Sequence, residues 1–252
     1  MQISLALSGG SARGLMHIGI LQAFEEIGIR PAHISACSSG GIIGALYAYG
    51  YSPKEIASFF SELNLMNLIK FDFSRLGILS IEKLRPLFEK YLQNDNFSAL
   101  KIPMTINTTE IRKGISIEFS EGELIRVLQA SACIPVIFKP IRIDDYLLID
   151  GGIINNMPTE TLQKNGHFII GVNCNFYGNQ PNPSSPKQLL ENVARLLLSR
   201  NTELDKQFCD YIIEPPEMSQ FNAFDLKYAA EMIRIGYDYT LKIADDLIQR
   251  IK

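Results

Sequence analysis

The sequence predicts an α/β fold with a mainly parallel central sheet. Three observations predict it. Residues 2–7 (QISLAL) form a short apolar strand that passes through a glycine-rich turn into a helix-patterned run, LMHIGILQAFEEIG. Residues 33–37 then repeat the event, strand into helix, so two βα units fill the first 50 residues; that alternation is the mark of a parallel sheet. A further buried strand is expected at 167–174, HFIIGVNC.

The elements follow from pattern and punctuation. In the first helix Leu15, Ile18 and Leu21 share a side that Ile20, Phe24 and Ile27 extend. Glu25 and Glu26 mark its wet side, and Gly28 is a C-terminal stop. A second helix covers 39–50 (SGGIIGALYAYG). Helices are expected over 52–63 and 80–92, the latter burying Ile81, Leu84, Leu87, Phe88 and Tyr91. Strands are expected at 102–109 and 114–120, joined by a turn at Lys113-Gly114. A short helix at 123–132 ends before Pro135, and a strand pair at 138–143 and 146–149 turns at Asp144-Asp145. The run 177–186 (YGNQPNPSSP) is a loop by its three prolines. A long helix over about 223–250 carries an apolar stripe of Ala229, Ile233, Tyr237, Leu241, Ala244 and Ile248, opposite Glu231, Arg234, Asp238, Lys242 and Asp245. Ordinary core packing is its expected role.

Bulk properties exclude several classes. The chain of 252 residues, 46% hydrophobic, reads as one domain over 1–252 with a substantial core. A net charge of −3 argues against nucleic-acid binding by bulk charge. Cys37, Cys133, Cys174 and Cys209 are scattered without CxxC spacing, which fits reduced thiols and a cytoplasmic location. No signal peptide and no unbroken apolar span of membrane length is found, so any membrane contact is expected to be peripheral, at the inner surface. No metal site is expected, because His, Cys and carboxylates do not cluster at ligand spacing.

Three stretches can carry chemistry. ACSSG (36–40) is one residue away from G-x-S-x-G, the strand–turn–helix elbow that exposes a nucleophilic serine at a helix N-terminus. Ala36 and Gly40 are its small supports, and Ser38 is the nucleophile in that frame. A simple helix cap by Ser38 or Ser39, or a Cys37 thiolate, would also account for the stretch. SGGSARG (8–14) offers backbone N–H groups and Arg13 to an anion, but lacks the spacing of a phosphate loop. LLIDGGIINNMP (147–158) sets Asp150 at a strand end before two glycines, as a base or as an Asx turn.

A serine hydroxyl needs a neighbour to take its proton. A Ser38–Asp150–His167 triad would have the chain order of α/β-hydrolases, but His167 precedes its strand and is expected on the surface. The simpler arrangement is a dyad in which Asp150 takes the proton from Ser38 directly. His17 lies after the glycine turn and His33 before the second strand.

With those stretches in hand, the sequence resembles the patatin-like phospholipase family. LSGGSARGLMHIGIL (7–21) is similar to its glycine-rich oxyanion loop, ACSSG (36–40) to its nucleophile elbow, QASACIPVIFKP (129–140) to a third block, and DGGIINNMP (150–158) to its aspartate block. All stand in the family's order. The resemblance implies a three-layer α/β/α sandwich and a serine acyl hydrolase acting on a lipid or other ester without a cofactor. It implies Ser38 as nucleophile, Asp150 as base, and Gly9, Gly10 and the Ser11 backbone as the oxyanion hole, braced by Arg13. Ala36 and Ser11 depart from the family, which has glycine at both positions. A left-handed backbone at Ser11 would carry a cost.

Two other classes stay open on the sequence: a weakly active or non-catalytic lipid-binding protein on the same scaffold, and a nucleotide-binding protein using SGGSARG. The apolar run 59–79 suits either a core segment or a cover over an acyl channel. Substrate chain length, head group and oligomeric state are not legible.

Overall fold

The computed structural model describes residues 1–62, 79–178 and 182–252. The expected cover at 59–79 therefore lies largely outside the described residues, as does the centre of the 177–186 loop.

β1 (Ile3–Leu7) leads through a 3₁₀ turn at Ser11–Leu15 into α1 (Met16–Glu26). β2 (His33–Cys37) runs directly into α2 (Ser38–Tyr49), which ends on Gly50 at φ 117°, a left-handed cap that glycine adopts without strain. α3 (Pro53–Glu62) follows. The expected helix at 80–92 divides into a 3₁₀ turn, Ile81–Leu84, and α4 (Arg85–Tyr91), because Pro86 fits only the first turn of a helix. β3 (Met104–Glu110) and β4 (Ile115–Phe119) form a hairpin, followed by α5 (Leu124–Ser131). β5 (Ile141–Ile143) and β6 (Tyr146–Asp150) form a second, with Asp144 at φ 48° in its turn.

α6 (Glu160–Gln163), β7 (Phe168–Val172), α7 (Pro186–Lys206), β8 (Tyr211–Ile213), α8 (Ala229–Lys242) and α9 (Ala244–Ile251) complete the chain. The sequence reading contains neither α6, α7 nor β8. The expected C-terminal helix is broken at Ile243, and its buried face is centred on Met232, Gly236 and Thr240. Leu241 of the expected stripe is exposed. The reason is backbone contact with α1: a β-carbon at Gly236 would lie 2.2 Å from the Met16 carbonyl oxygen, and one at Gly19 would lie 1.8 Å from that of Ile233. Glycine, not an apolar side chain, sets the face along which the helices cross.

The sheet has the order β5-β6-β3-β2-β1-β7-β8, with β4 also paired to β3. β8, β7, β1, β2 and β3 are mutually parallel, and β4, β5 and β6 form the antiparallel part. Alternation buries both faces. Ile3, Leu5 and Leu7 enter the large core with α1, α2 and α8, whereas Ala6 joins Met157, Leu162 and Ile169 on the other side. The sheet is thus flanked by helices, as expected. The first crossover leaves β1 for β2, and the chain returns to β1's other edge as β7. Open α/β sheets bind ligands outside the strand ends at such a reversal.

Candidate active site

The site is made by four strand ends. β2 pairs with the first part of β3, Cys37 opposite Asn107. β6 pairs antiparallel with the last part, Asp150 opposite Thr108. Because β4 holds the other edge from Ile106 to Glu110, β2 and β6 lie on the same edge and meet end to end. The residue after Cys37 therefore arrives beside Asp150. Ser38 Oγ donates to Asp150 Oδ2 at 2.7 Å, across 112 positions of chain.

Ser38 turns the corner with φ 50°, between extended Cys37 and helical Ser39. A non-glycine residue held there is a strained position of the kind that clusters at functional sites. The corner closes because Gly40 has no side chain: a β-carbon would lie 2.6 Å from Ser8 O and 2.7 Å from Leu7 O. The Ala36 methyl is fully buried in the main core. Neither serine caps α2: its cap position is Cys37, without a side-chain hydrogen bond. The Cys37 thiol is buried and aimed at Asp150 Oδ1, 3.9 Å away. Burial and the Asp150 charge push its pKa well up, so it is no thiolate nucleophile.

Asp150 faces both the glycine turn and Ser38. Oδ1 accepts the Gly152 N–H at 2.8 Å, an Asx turn, which leaves Oδ2 for Ser38. Loss of water around the carboxyl raises its pKa to about 6, against hydrogen bonds from Ser38, Gly152 and Cys37 that hold it lower. A carboxylate with that pKa is ionised at neutral pH and is a stronger base than an exposed one.

The glycine loop is pinned from β7's end. Asn175 Nδ2 donates to Gly9 O at 2.6 Å, while Arg13 donates to Asn175 Oδ1 at 3.2 and 2.8 Å. Arg13 is buried and also reaches the Phe221 carbonyl at 3.5 Å, and burial lowers its guanidinium to about 10. The expected oxyanion donors separate here. Gly9 N–H is already given to Asn156 O at 3.0 Å, so Gly9 supports the loop and is not an open donor. Gly10 N–H reaches Ser39 Oγ at 3.2 Å, and Ser11, Ser38 and Ser39 line one cleft. Ser11 does adopt the left-handed backbone, at φ 53°. The cleft is otherwise apolar, walled by Leu15, Ile42, Phe60, Ile81, Phe138 and Phe224 among others.

Other expected residues are elsewhere. His167 bonds Ser4, and His33 bonds Thr105, both at the opposite ends of β1 and β2. His17 is held by Ser8 O at 2.8 Å, and burial lowers its pKa to about 4, so it stays neutral. No histidine reaches Ser38. Sequence reasoning missed Ser131, Asn156 and Asn175. Ser131 Oγ accepts the Ser38 N–H at 2.8 Å and donates to Asn107 O at 2.7 Å. Ser131 and Asn156 lie inside quoted blocks, but a serine or asparagine in a motif carries no mark of its partner; Asn175 lies in no block.

The model of the family described as Patatin-like phospholipase matches residues 5–162, a segment holding both Ser38 and Asp150. The chain belongs to the patatin-like phospholipase family. An uncharacterized NTE family protein of Mycobacterium tuberculosis is 30% identical over 210 residues, covering 81% of this chain and 58% of its own length. A lysophospholipase of Cryptococcus neoformans is 32% identical over 171 residues, 66% of this chain but 10% of the fungal protein. The chain thus spans a little over half of the mycobacterial relative and a small part of the fungal one. The crystal structure of VipD from Legionella pneumophila superposes with a TM-score of 0.64 at 15% identity, over 97% of this chain and 66% of VipD. That similarity shows a shared fold. No helix among the described residues is long and apolar enough to cross a membrane.

Proposed function

We propose that this chain is a serine acyl hydrolase that cleaves carboxylic ester bonds of lipids through a Ser38–Asp150 dyad. The observation that carries the reading is the 2.7 Å hydrogen bond from Ser38 Oγ to Asp150 Oδ2 beside an apolar cleft. Membership of a phospholipase family supports the lipid ester as substrate class.

In the proposed reaction the acyl chain lies along the apolar cleft, with its carbonyl carbon against Ser38 Oγ. Asp150 takes the hydroxyl proton as Oγ forms the new C–O bond. The carbonyl oxygen becomes an oxyanion facing the Gly10 and Ser11 amides. Gly10 N–H passes from Ser39 Oγ, a long contact, to the stronger acceptor. Asp150 returns its proton to the departing alkoxide, leaving an acyl-serine. Water then repeats the sequence: Asp150 takes its proton, the hydroxide oxygen joins the acyl carbon, and Ser38 leaves with the proton restored.

The test is hydrolysis of p-nitrophenyl esters of short and long chain by wild type, Ser38→Ala and Asp150→Asn, beside labelling by a fluorophosphonate. Turnover and labelling in wild type, with both lost in Ser38→Ala and turnover lost in Asp150→Asn, are expected. Equal inertness of three folded proteins would overturn the reading in favour of a lipid-binding role.

A further inference from the structure

Helix α7 is amphipathic in the wrong sense for a surface helix. Apart from Leu198, which lies beside Gly152, its inner side is polar. Arg195 donates to the carbonyls of Ser219 and Phe221, Asn201 to those of Gly152 and Ile153, and Thr202 Oγ1 accepts from Asn156. Its outer side carries Leu189, Leu190, Val193, Leu196, Leu197 and Leu204, between 39% and 70% exposed. Their spacing, with steps of three and four, makes one stripe along the helix. Surface helices of soluble domains normally show the reverse, and a contiguous apolar patch of this kind marks an interaction surface.

The stripe is joined to the site. The Asn201 bonds end on Gly152 and Ile153, just after Asp150, and Ile153 is itself 47% exposed. Arg195 holds the carbonyl of Phe221, three residues before Phe224, which lines the cleft and is 52% exposed. The polar side of α7 thus fixes the catalytic aspartate's loop and one wall of the cleft, while its apolar side faces outward.

We propose that the outer face of α7 seats the protein on a lipid surface, with the helix lying in the plane of the interface. This rests on the lipid-hydrolase reading above, because a substrate that resides in such a surface has to pass from it into the apolar cleft. The charge pattern decides the kind of surface. From Leu189 to Leu197 every exposed position is apolar, and Arg200 and Glu203, of opposite sign, follow. Attachment therefore depends on apolar area and not on anionic head groups, so it is insensitive to salt.

The experiment is flotation of the full chain with phosphatidylcholine vesicles, wild type against the double variant Leu190→Glu/Leu197→Glu, both side chains pointing to solvent. Wild type is expected to float at low and high salt alike, and the double variant to lose at least about tenfold in bound fraction. Turnover of water-soluble p-nitrophenyl butyrate is expected to stay within about twofold, because surface substitutions leave the fold intact. Hydrolysis of an ester presented in the vesicles is expected to fall with binding. Thermal melting checks the fold, and Leu190→Ser/Leu197→Ser serves if the charged pair does not fold. The proposal is overturned if wild type stays with the soluble fraction, if the double variant floats equally, or if ultracentrifugation finds a wild-type dimer that the substitutions convert to monomer. Flotation is read without catalysis, so an inert wild type that floats would sink the hydrolase reading alone.

Discussion

The hydroxyl of Ser131 clamps the backbone of Ser38: it accepts the Ser38 N–H at 2.8 Å and donates to the Asn107 carbonyl at 2.7 Å. One fully buried side chain on α5 thereby ties the elbow to β3. Ser131→Ala would leave both backbone groups without that partner. The expected cost is about 1–3 kcal/mol, because buried unpaired polar groups keep their full desolvation penalty. Ser38 would also lose its fixed direction, and kcat is expected to fall at least about tenfold, as small misplacements of a reacting atom do. Denaturant melts beside fluorophosphonate labelling rates check both. Labelling at the wild-type rate would remove Ser131 from the machinery.

Acid should silence the reaction through Asp150. Its pKa is raised to about 6 by burial, and only the carboxylate can take the Ser38 proton. The expected kcat/KM on a soluble ester is flat above neutral pH and falls about tenfold per unit below the Asp150 pKa. A profile still flat two units lower would be incompatible with Asp150 as the base.

The same shift has a cost in stability. The folded-state pKa lies above the ordinary aspartate value of 3.8, so the folded form binds the proton more tightly. The carboxyl is therefore not a burden in acid. The penalty appears as pH rises through the unfolded pKa, and is complete above the folded one. Asp150→Asn removes the charge and keeps an acceptor for Gly152 N–H. It is expected to stabilise the protein above neutral pH by up to about 3 kcal/mol, with the gain vanishing below about pH 4. Melting temperatures of the two proteins across that range are the measurement. An inactive variant that is also less stable at high pH would contradict this account of Asp150.

Ser11 carries strain that glycine would not. At φ 53° its backbone occupies the left-handed region, where only glycine is free of cost. Ser11→Gly is expected to raise stability by up to about 1 kcal/mol, the relief being partly offset by the freer unfolded chain. Labelling of Ser38 is expected at the wild-type rate or faster, since the amide stays in place. Slower labelling would mean that the Ser11 hydroxyl has a part in the chemistry.

Much of this architecture could be read along the chain. Strand, glycine turn and helix at 3–26, and strand, elbow and helix at 33–49, are local events. Periodicity, a small residue at Gly40 and a positive-φ corner at Ser38 are written within a few residues of each other. Asp150 is marked in the same way, by an apolar strand that stops before two glycines. The misses were also local in cause. α7 has no inward apolar face, so a reading that looks for apolar stripes against the core passes over it, and α8 is seated by Gly236, which has no side chain to count.

What the sequence by itself determined is therefore the supply of groups: a serine at a helix head, a carboxylate at a strand end, and a glycine-rich loop of amides. Their assembly was decided by the sheet. β2 and β6 meet on one edge of β3 because β4 fills the other, and that pairing brings Ser38 and Asp150 to 2.7 Å. Which loop amides remain open was decided at the same level, since Asn156 takes Gly9 N–H and Asn175 takes Gly9 O across long stretches of chain. Hydrogen bonds of that kind depend on distance in space, and the spacing of residues along the chain does not encode it.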